Sequence, residues 1–450
     1  MPDIPEDLTD LLRDHGQEHL LEVLNDSLLD QLWQMDLEEL SQLTAMAKEG
    51  DASTPPRIAP LPVESWDDIQ ASKARGEQAL RDGEVAVLVV AGGQGSRLGF
   101  EHPKGHYKVG PVSEASLFQI HAEKVLALSR RYEKRIPLLV MTSTATHDET
   151  VAYFAEQNFF GLQEDDVLFF QQGTMPAVDM ATGQLLLESP EQFALSPNGH
   201  GGTLIALADS GILKQLQDDG IAYIFYFQVD NPLVRIADPV LLGRHIETNA
   251  EVSSKVVFKE KPEEKVGLLT LINDRCGIIE YSDMPAELTN TRDTDGTLLY
   301  RAGNPAIHLF SVDFLTKVTS GEDRLQFHIA RKKVPYFDLA TQSVVTPTTE
   351  NAFKFELFIF DALPLADRWL VVSVNREDEF APLKNATGSD SPATVRELLI
   401  AQATRWLTAA GVSVPPGTAV EISPLFALDE IELKSKLTES FQLTGPTYLK

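Results

Sequence analysis

The first eighty residues carry apolar side chains at helical spacing. Leu8, Leu11 and Leu12 open the pattern, and Leu20, Leu21, Leu24, Leu28, Leu29 and Leu32 continue it. Prolines at 55, 56, 60 and 62 break the run. The pattern predicts a helical N-terminal region from about residue 5 to 79, then a proline-marked passage over the surface. From Glu84 the texture changes. The apolar runs VAVLVV, IPLLVMTS and VLFFQQ alternate with the helix-like stretches LFQIHAEKVLALSRRY and VAYFAEQNFFG. Such alternation predicts βαβ units and a doubly wound, mostly parallel α/β sheet.

A second block holds IAYIFYFQVDN, SSKVVFK, VGLLTLIN, GIIEYS and AIHLFSVDFL, mostly strand-like, before FHIARKKVPYFD and NAFKFELFIFDAL. It reads as a strand-rich insert closing a pocket over the carboxyl ends of the parallel sheet. After the polar stretch LKNATGSDSPATVRE, one helix and a short β-like end predict a small C-terminal β lobe. The expected organisation is a helical region over 1–82, a central α/β domain over 83–388 and a lobe over 389–450.

Bulk numbers narrow the function classes. A chain of 450 residues can bury a large core. Its 38 Lys and Arg against 67 Asp and Glu give a net charge of −29, which disfavours nucleic acid or an anionic membrane as partner. The single cysteine, Cys276, excludes an internal disulfide and a multi-cysteine zinc site, as expected in a reducing cytosol. The acidic N-terminus lacks an apolar leader, and no run approaches the roughly 18 apolar residues of a membrane span. A soluble, cytoplasmic protein is expected.

The stretch VLVVAGGQGSRLGFEHPKG, Val87 to Gly105, runs a strand into clustered glycines and then two cations. Glycines let backbone N–H groups approach an anion without a Cβ in the way. The spacing excludes two common cradles. No Lys follows Gly99 as a P-loop requires, and Leu98 stands where a dinucleotide fingerprint needs its third glycine. What remains is a loop with Arg97 and Lys104 beyond it, suited to a triphosphate. A glycine turn packing helix on strand, with surface cations, fits the stretch equally well.

AGGQGSRLGFEHPKG resembles the signature loop of the eukaryotic-type UDP-sugar pyrophosphorylase family. QQGTMP, SPNGHGG, FQVDNPLVRIADP, GIIEYS, GNPAIHLFSVDFL, FKFELFIFD and REDEFAPLKNA follow in the order of its UDP-N-acetylhexosamine branch. The resemblance covers about residues 85 to 430. It implies a nucleotidyltransferase joining UTP and a sugar 1-phosphate, most simply N-acetylglucosamine 1-phosphate, with Mg2+ or Mn2+ and as a monomer or weak oligomer.

Residue by residue, it implies that Val90, Ala91, Gly92 and Gly93 hold uridine and its first phosphate, with Arg97 and Lys104 over the triphosphate. Gln172 matches a reader of the uracil edge, since an amide offers both donor and acceptor. Gly199 matches a close backbone approach to the base, and Lys354 a contact to the nucleotide phosphates. Asp230 ends an apolar run, where a carboxylate emerges at the carboxyl end of a strand. It matches the metal ligand, with Asn231 expected to orient it. Glu280, Tyr281, Asn304 and Lys384 match contacts to the sugar and its phosphate. Phe358 and Phe360, two apart on a strand-like run, match residues near the N-acetyl group, although core packing explains their spacing equally well. His200 departs from the pattern: the N-acetylglucosamine branch has Asn there, whereas the glucose branch has His. A UDP-glucose or broad-specificity enzyme, and a non-catalytic sugar-nucleotide-binding protein, are the alternatives.

Overall fold

The computed structural model describes residues 6–49, 56–320, 325, 327–438 and 440–450. Residues 1–5 and 50–55, on which the start of the expected helical region and Pro55 of its proline-marked exit fall, lie outside the described residues. The apolar runs form one sheet. Its strands are β1 (Glu64–Ser65), β2 (Val85–Val90), β3 (Leu138–Thr142), β4 (Val167–Gln171), β5 (Tyr223–Gln228), β6 (Val252–Phe258), β7 (Ala302–Ser311) and β8 (Trp369–Ser373). Their spatial order is β1-β8-β6-β7-β5-β2-β3-β4. Only β7 runs against its neighbours on this path. The central strands are apolar on both faces because both faces are covered. Val85, Ala86, Val87, Leu88 and Val89 of β2 are all buried, as are Phe225, Tyr226 and Phe227 of β5.

This corrects the expected insert. SSKVVF and AIHLFS are β6 and β7, members of the main sheet itself. The hairpin Leu268–Ile272/Arg275–Ile279 stands off the main path, joined to β7 at Leu268 and Gly303 and edged by Ile58–Ala59. Alternation of strands marks them as sheet; which sheet they join is set by pairing between distant residues.

The chain divides into two compact units. The smaller comprises the described residues within 1–56, 172–205 and 325–361, and the larger those within 57–171, 206–324 and 362–450. These boundaries differ from the expected segments. Helices Glu6–Asp14, Asp26–Leu32 and Leu37–Glu49 bury Leu8, Leu12, Leu28, Leu32, Leu40 and Leu43. Their core is shared with Val178, Leu185, Phe193, Phe353 and Phe355, residues from far along the chain. An amphipathic stripe must find an apolar partner surface. Here the partners are short strands remote in sequence, so the N-terminal helices and the middle of the chain form one body. In the larger unit, Pro392–Ala409 packs with Val420–Ile422 and its parallel partner Thr447–Leu449 around Leu407, Val420 and Leu433.

Two histidines tie this unit together and make its stability pH-dependent. His121 donates through Nε2 to the Val229 carbonyl at 2.9 Å, and His245 bridges Ser253 and Ser311 at 2.7 and 3.0 Å. Each is 1% exposed, and burial pushes both down to about 3. Between pH 6.5 and 4 the unfolded chain protonates these rings while the folded chain does not, so stability falls as pH falls. We expect about 1.4 kcal/mol lost per pH unit for each ring, read as urea unfolding at pH 6 and pH 5. His245→Asn should flatten that slope; an unchanged slope contradicts this account.

Candidate active site

The chain leaves β2 for β3 and β4 on one side and returns as β5 on the other. The strand order therefore reverses between β2 and β5, and ligands of open α/β sheets bind beyond the carboxyl ends at such a reversal. Both ends carry expected site residues. Val90 ends β2 and its carbonyl accepts from Val229 N at 3.1 Å. Ala91 N donates to the Met141 carbonyl at 2.8 Å, and Ser143 Oγ to the Gly92 carbonyl at 2.8 Å. The loop then folds on itself through Gly95 N to the His102 carbonyl (2.9 Å) and Lys104 N to the Gly93 carbonyl (3.0 Å).

The glycines differ in what they answer. A Cβ on Gly95 would meet the Phe100 ring at 2.7 Å, so the loop's own packing demands glycine there. On Gly93 a Cβ would meet nothing within 4 Å. Gly93 is exposed and leaves open space beyond the strand end, as close approach by a ligand requires. Arg97, on the short helical turn Ser96–Leu98, is exposed as well.

The closure of this loop places Lys104 Nζ 3.3 Å from Asp230 Oδ2. Asp230 is only 7% exposed. Its carbonyl accepts from Leu383 N at 2.9 Å. Asn231 does not touch its neighbour's carboxylate as expected: its amide donates to the Glu379 carbonyl (2.7 Å) and accepts from Ala381 N (3.0 Å). It thus holds the segment that carries Lys384. An amide matches a peptide group's donor and acceptor at once, which explains why it is captured by backbone.

Lys384 shares its field with two carboxyl groups. Glu280, just after Arg275–Ile279, is raised by burial and by Asp283, with Lys384 opposing. Asp390 is raised by burial, lowered by Lys384 and raised by Asp230. Tyr281 is 47% exposed, and Asn304 on β7 accepts from Ala306 N at 2.9 Å. Asp390 is a neighbour of Lys384 that the sequence did not single out. Its position in GSDSP, a polar stretch, reads as a loop, yet its left-handed φ of 54° and its carbonyl, accepting from Lys384 N at 2.7 Å, fix the Lys384 turn.

Behind Asp230 lies a second missed group. Lys255 on β6 is fully buried and pairs with Asp238 at 2.8 Å and with Glu379. Trp66 Nε1 and Val240 N also donate to Asp238, each at 2.9 Å. Burial would raise the Asp238 carboxyl, but Lys255, Arg235 and the Val240 N–H together hold it below its usual range, whereas burial raises that of Glu379. A lysine inside the apolar run SSKVVF was the available signal: a buried cation requires partners.

The smaller unit carries the other expected residues. Gln172 follows directly after β4 and is half-buried. Gly199 has a φ of 84°, and a Cβ there would lie 2.3 Å from the Leu357 carbonyl oxygen. Its glycine is therefore required by the chain's own segment rather than by a base alone. His200 Nδ1 accepts from Ile359 N at 3.1 Å, which leaves the proton on Nε2. Burial lowers its pKa to about 4, so the ring is neutral at pH 7. It lies 5.4 Å from the Phe358 ring and 5.5 Å from that of Phe360. The strand expected there ends at Glu356. Phe358 and Phe360 stack at 4.9 Å on a helical turn, because Asp361 accepts from Phe358 N at 3.2 Å and bends the chain. Lys354 sits on Ala352–Glu356, paired with His328–Lys332.

Among the described residues, no cluster of three or more His, Cys, Asp or Glu could hold a metal by itself. One deeply set carboxylate opening at a strand end suits Mg2+, which takes its other ligands from phosphates and water. Asp230 fits that pattern.

The family model described as UTP--glucose-1-phosphate uridylyltransferase matches residues 38–443. A UDP-N-acetylglucosamine pyrophosphorylase of Saccharomyces cerevisiae is 39% identical over 382 residues, covering 81% of this chain and 80% of its own. The human UDP-N-acetylhexosamine pyrophosphorylase-like protein 1 is 37% identical, covering 93% and 92%. The solved structure of the Trypanosoma brucei UDP-N-acetylglucosamine pyrophosphorylase superposes with a TM-score of 0.81 at 28% identity, covering 97% and 95%. This chain, with its glycine loop and Asp230 at the strand-order reversal, belongs to the UTP--glucose-1-phosphate uridylyltransferase family and is a nucleotidyltransferase.

Proposed function

We propose that the enzyme makes UDP-N-acetylglucosamine and pyrophosphate from UTP and N-acetylglucosamine 1-phosphate, with Mg2+ or Mn2+, in the cytoplasm. The Lys104–Asp230 pair beneath the open Gly93 carries this reading, and the names of the relatives support the sugar. The sugar phosphate is already ionised at neutral pH, so no general base is needed. Its oxygen attacks the UTP α-phosphorus in line, and pyrophosphate leaves. The chain's work is positioning and charge neutralisation. Val90 to Gly93 offer backbone to uridine and the first phosphate, and Arg97 and Lys104 face the departing charge. Asp230 would hold the metal, which supplies further charge neutralisation. Lys354 and Lys384 neutralise the remaining phosphates, while Gln172 and Gly199 address the base. Glu280, Tyr281 and Asn304 address sugar hydroxyls, and His200 with Phe358 and Phe360 faces the sugar substituent.

His200 favours a second reading, a UDP-glucose or broad-specificity enzyme. Pyrophosphate release from UTP with glucose, galactose, N-acetylglucosamine and N-acetylgalactosamine 1-phosphates separates the two. N-acetylglucosamine 1-phosphate should give the highest kcat/KM. His200→Asn should move the N-acetylglucosamine-to-glucose ratio upward by about tenfold, the scale of one pocket contact. An unchanged ratio would remove His200 from sugar selection, and no preference for N-acetylated substrates would sink the leading choice.

A further inference from the structure

We infer that Ser143, backed by Thr146, is a positioning residue for the nucleotide: its hydroxyl turns the Gly92–Gly93 peptide so that the Gly93 N–H faces the strand-order reversal and donates to an anionic oxygen of UTP. The inference rests on the proposed binding of UTP at this loop.

A peptide between two glycines has little to fix its plane, because neither flanking residue has a Cβ to restrict the backbone. The strand pattern would set it one way. The Val90 carbonyl accepts from Val229 N on the β5 side, and Ala91 N donates to the Met141 carbonyl on the β3 side. In a continued strand the Gly92 carbonyl, two residues beyond that of Val90, would face β5 as well. It faces the end of β3 instead, where Ser143 Oγ donates to it at 2.8 Å. The peptide bond is trans, so the Gly93 N–H points opposite to that carbonyl. It is therefore turned away from Ser143 and toward β5, which ends two residues before Asp230. Among the described residues no backbone carbonyl accepts from Gly93 N. Gly93 is exposed, with nothing within 4 Å of where a Cβ would stand.

The hydroxyl hydrogens follow from the acceptors. Ser143 Oγ has one hydrogen, and a carbonyl only accepts, so that hydrogen belongs to Gly92. The 3.0 Å contact between Ser143 Oγ and Thr146 Oγ1 is then donated by Thr146, whose oxygen accepts from Ser143 N at 3.1 Å. The Ser143 carbonyl, at 3.4 Å, is the poorer acceptor for Thr146. The result is a one-way chain of hydrogen bonds ending on Gly92, each polarising the next. Ser143 is 4% exposed and Thr146 0%. Thr146 N and His147 N both donate to the Ser143 carbonyl, at 3.0 and 2.9 Å, where helix His147–Glu156 begins. Water could satisfy the half-buried Gly92 carbonyl, but it would leave the peptide free to turn. A buried relay anchored on a helix start fixes it.

UTP with Mg2+, titrated by calorimetry against the full chain, and the KM of each substrate test this. Ser143→Ala should weaken UTP at least about tenfold, the effect of one hydrogen bond to a charged group. KM for UTP should rise as much, while KM for N-acetylglucosamine 1-phosphate stays within about twofold, since the lost contact belongs to the nucleotide. Ser143→Thr, which keeps the hydroxyl, should recover most of the UTP affinity. Thr146→Val, which removes only the second hydroxyl, should weaken UTP less than Ser143→Ala does. Wild-type UTP affinity in Ser143→Ala, or equal rises in both KM values, overturns the inference. Should Ser143→Ala fail to fold, wild-type UTP affinity in Thr146→Val overturns it. A wild-type protein that releases no pyrophosphate with any sugar phosphate defeats the proposed reaction, and the UTP titrations still decide the role of Ser143.

Discussion

Asp230→Asn is expected to cut pyrophosphate release by at least about tenfold and by up to about a thousandfold, the range for removing one preorganised electrostatic contact. The substitution is nearly isosteric. The Asp230 carbonyl still accepts from Leu383 N, so the segment leading to Lys384 should stay in place and thermal unfolding should be unchanged. What disappears is the negative charge set 3.3 Å from Lys104 Nζ. A neutral amide holds Mg2+ poorly and no longer restrains the lysine. Lys104→Ala should lose at least about tenfold by itself. The two substitutions share one contact, so the double variant should lose less than the product of the single losses. Wild-type turnover in Asp230→Asn, at saturating UTP and Mg2+, would refute the assignment.

Lys255→Met should destabilise the protein by about 3–5 kcal/mol, because removing one partner of a buried ion group leaves the others uncompensated. Asp238 and Glu379 would both remain at 3% exposure or less with no cation between them. In the variant both carboxyl groups are expected to titrate above their unfolded values. A group raised on folding contributes stability below its unfolded pKa and loses it as pH rises through the folded value. The deficit should therefore be larger at pH 8 than at pH 5 in urea unfolding. Adding Glu379→Gln, which removes the charge and keeps the shape, should recover part of the loss. A deficit independent of pH would point to lost packing alone. Turnover should fall too, since the Glu379 carbonyl anchors Asn231 beside Asp230.

How far the sequence reads depends on the range of the interaction. The cations of the glycine loop, the strand-terminal Asp230 and the glycine cluster lie within or just after single apolar runs, and period and turn chemistry expose them. Phe358 and Phe360 were legible as a pair but not as a turn, because the bend comes from Asp361 accepting a backbone hydrogen. Asn231 was legible as a polar partner, yet its partners lie about 150 residues away. Asp390 was not legible, since a carboxyl group in a polar loop carries no local mark of its neighbours.

The sequence by itself determined the alternation of strands and helices, the acidic charge balance and the family resemblance. These follow from side-chain period, charge and local spacing, which need no partner. Tertiary structure alone decided that the N-terminal helices close their core with strands from residues 178–193 and 353–355, and that β7 runs antiparallel within the sheet. It also decided that Lys255 joins Asp238 to Glu379 behind the site. Each is a contact between residues far apart in the chain, where an apolar face or a buried charge accepts whichever complementary surface the fold brings to it.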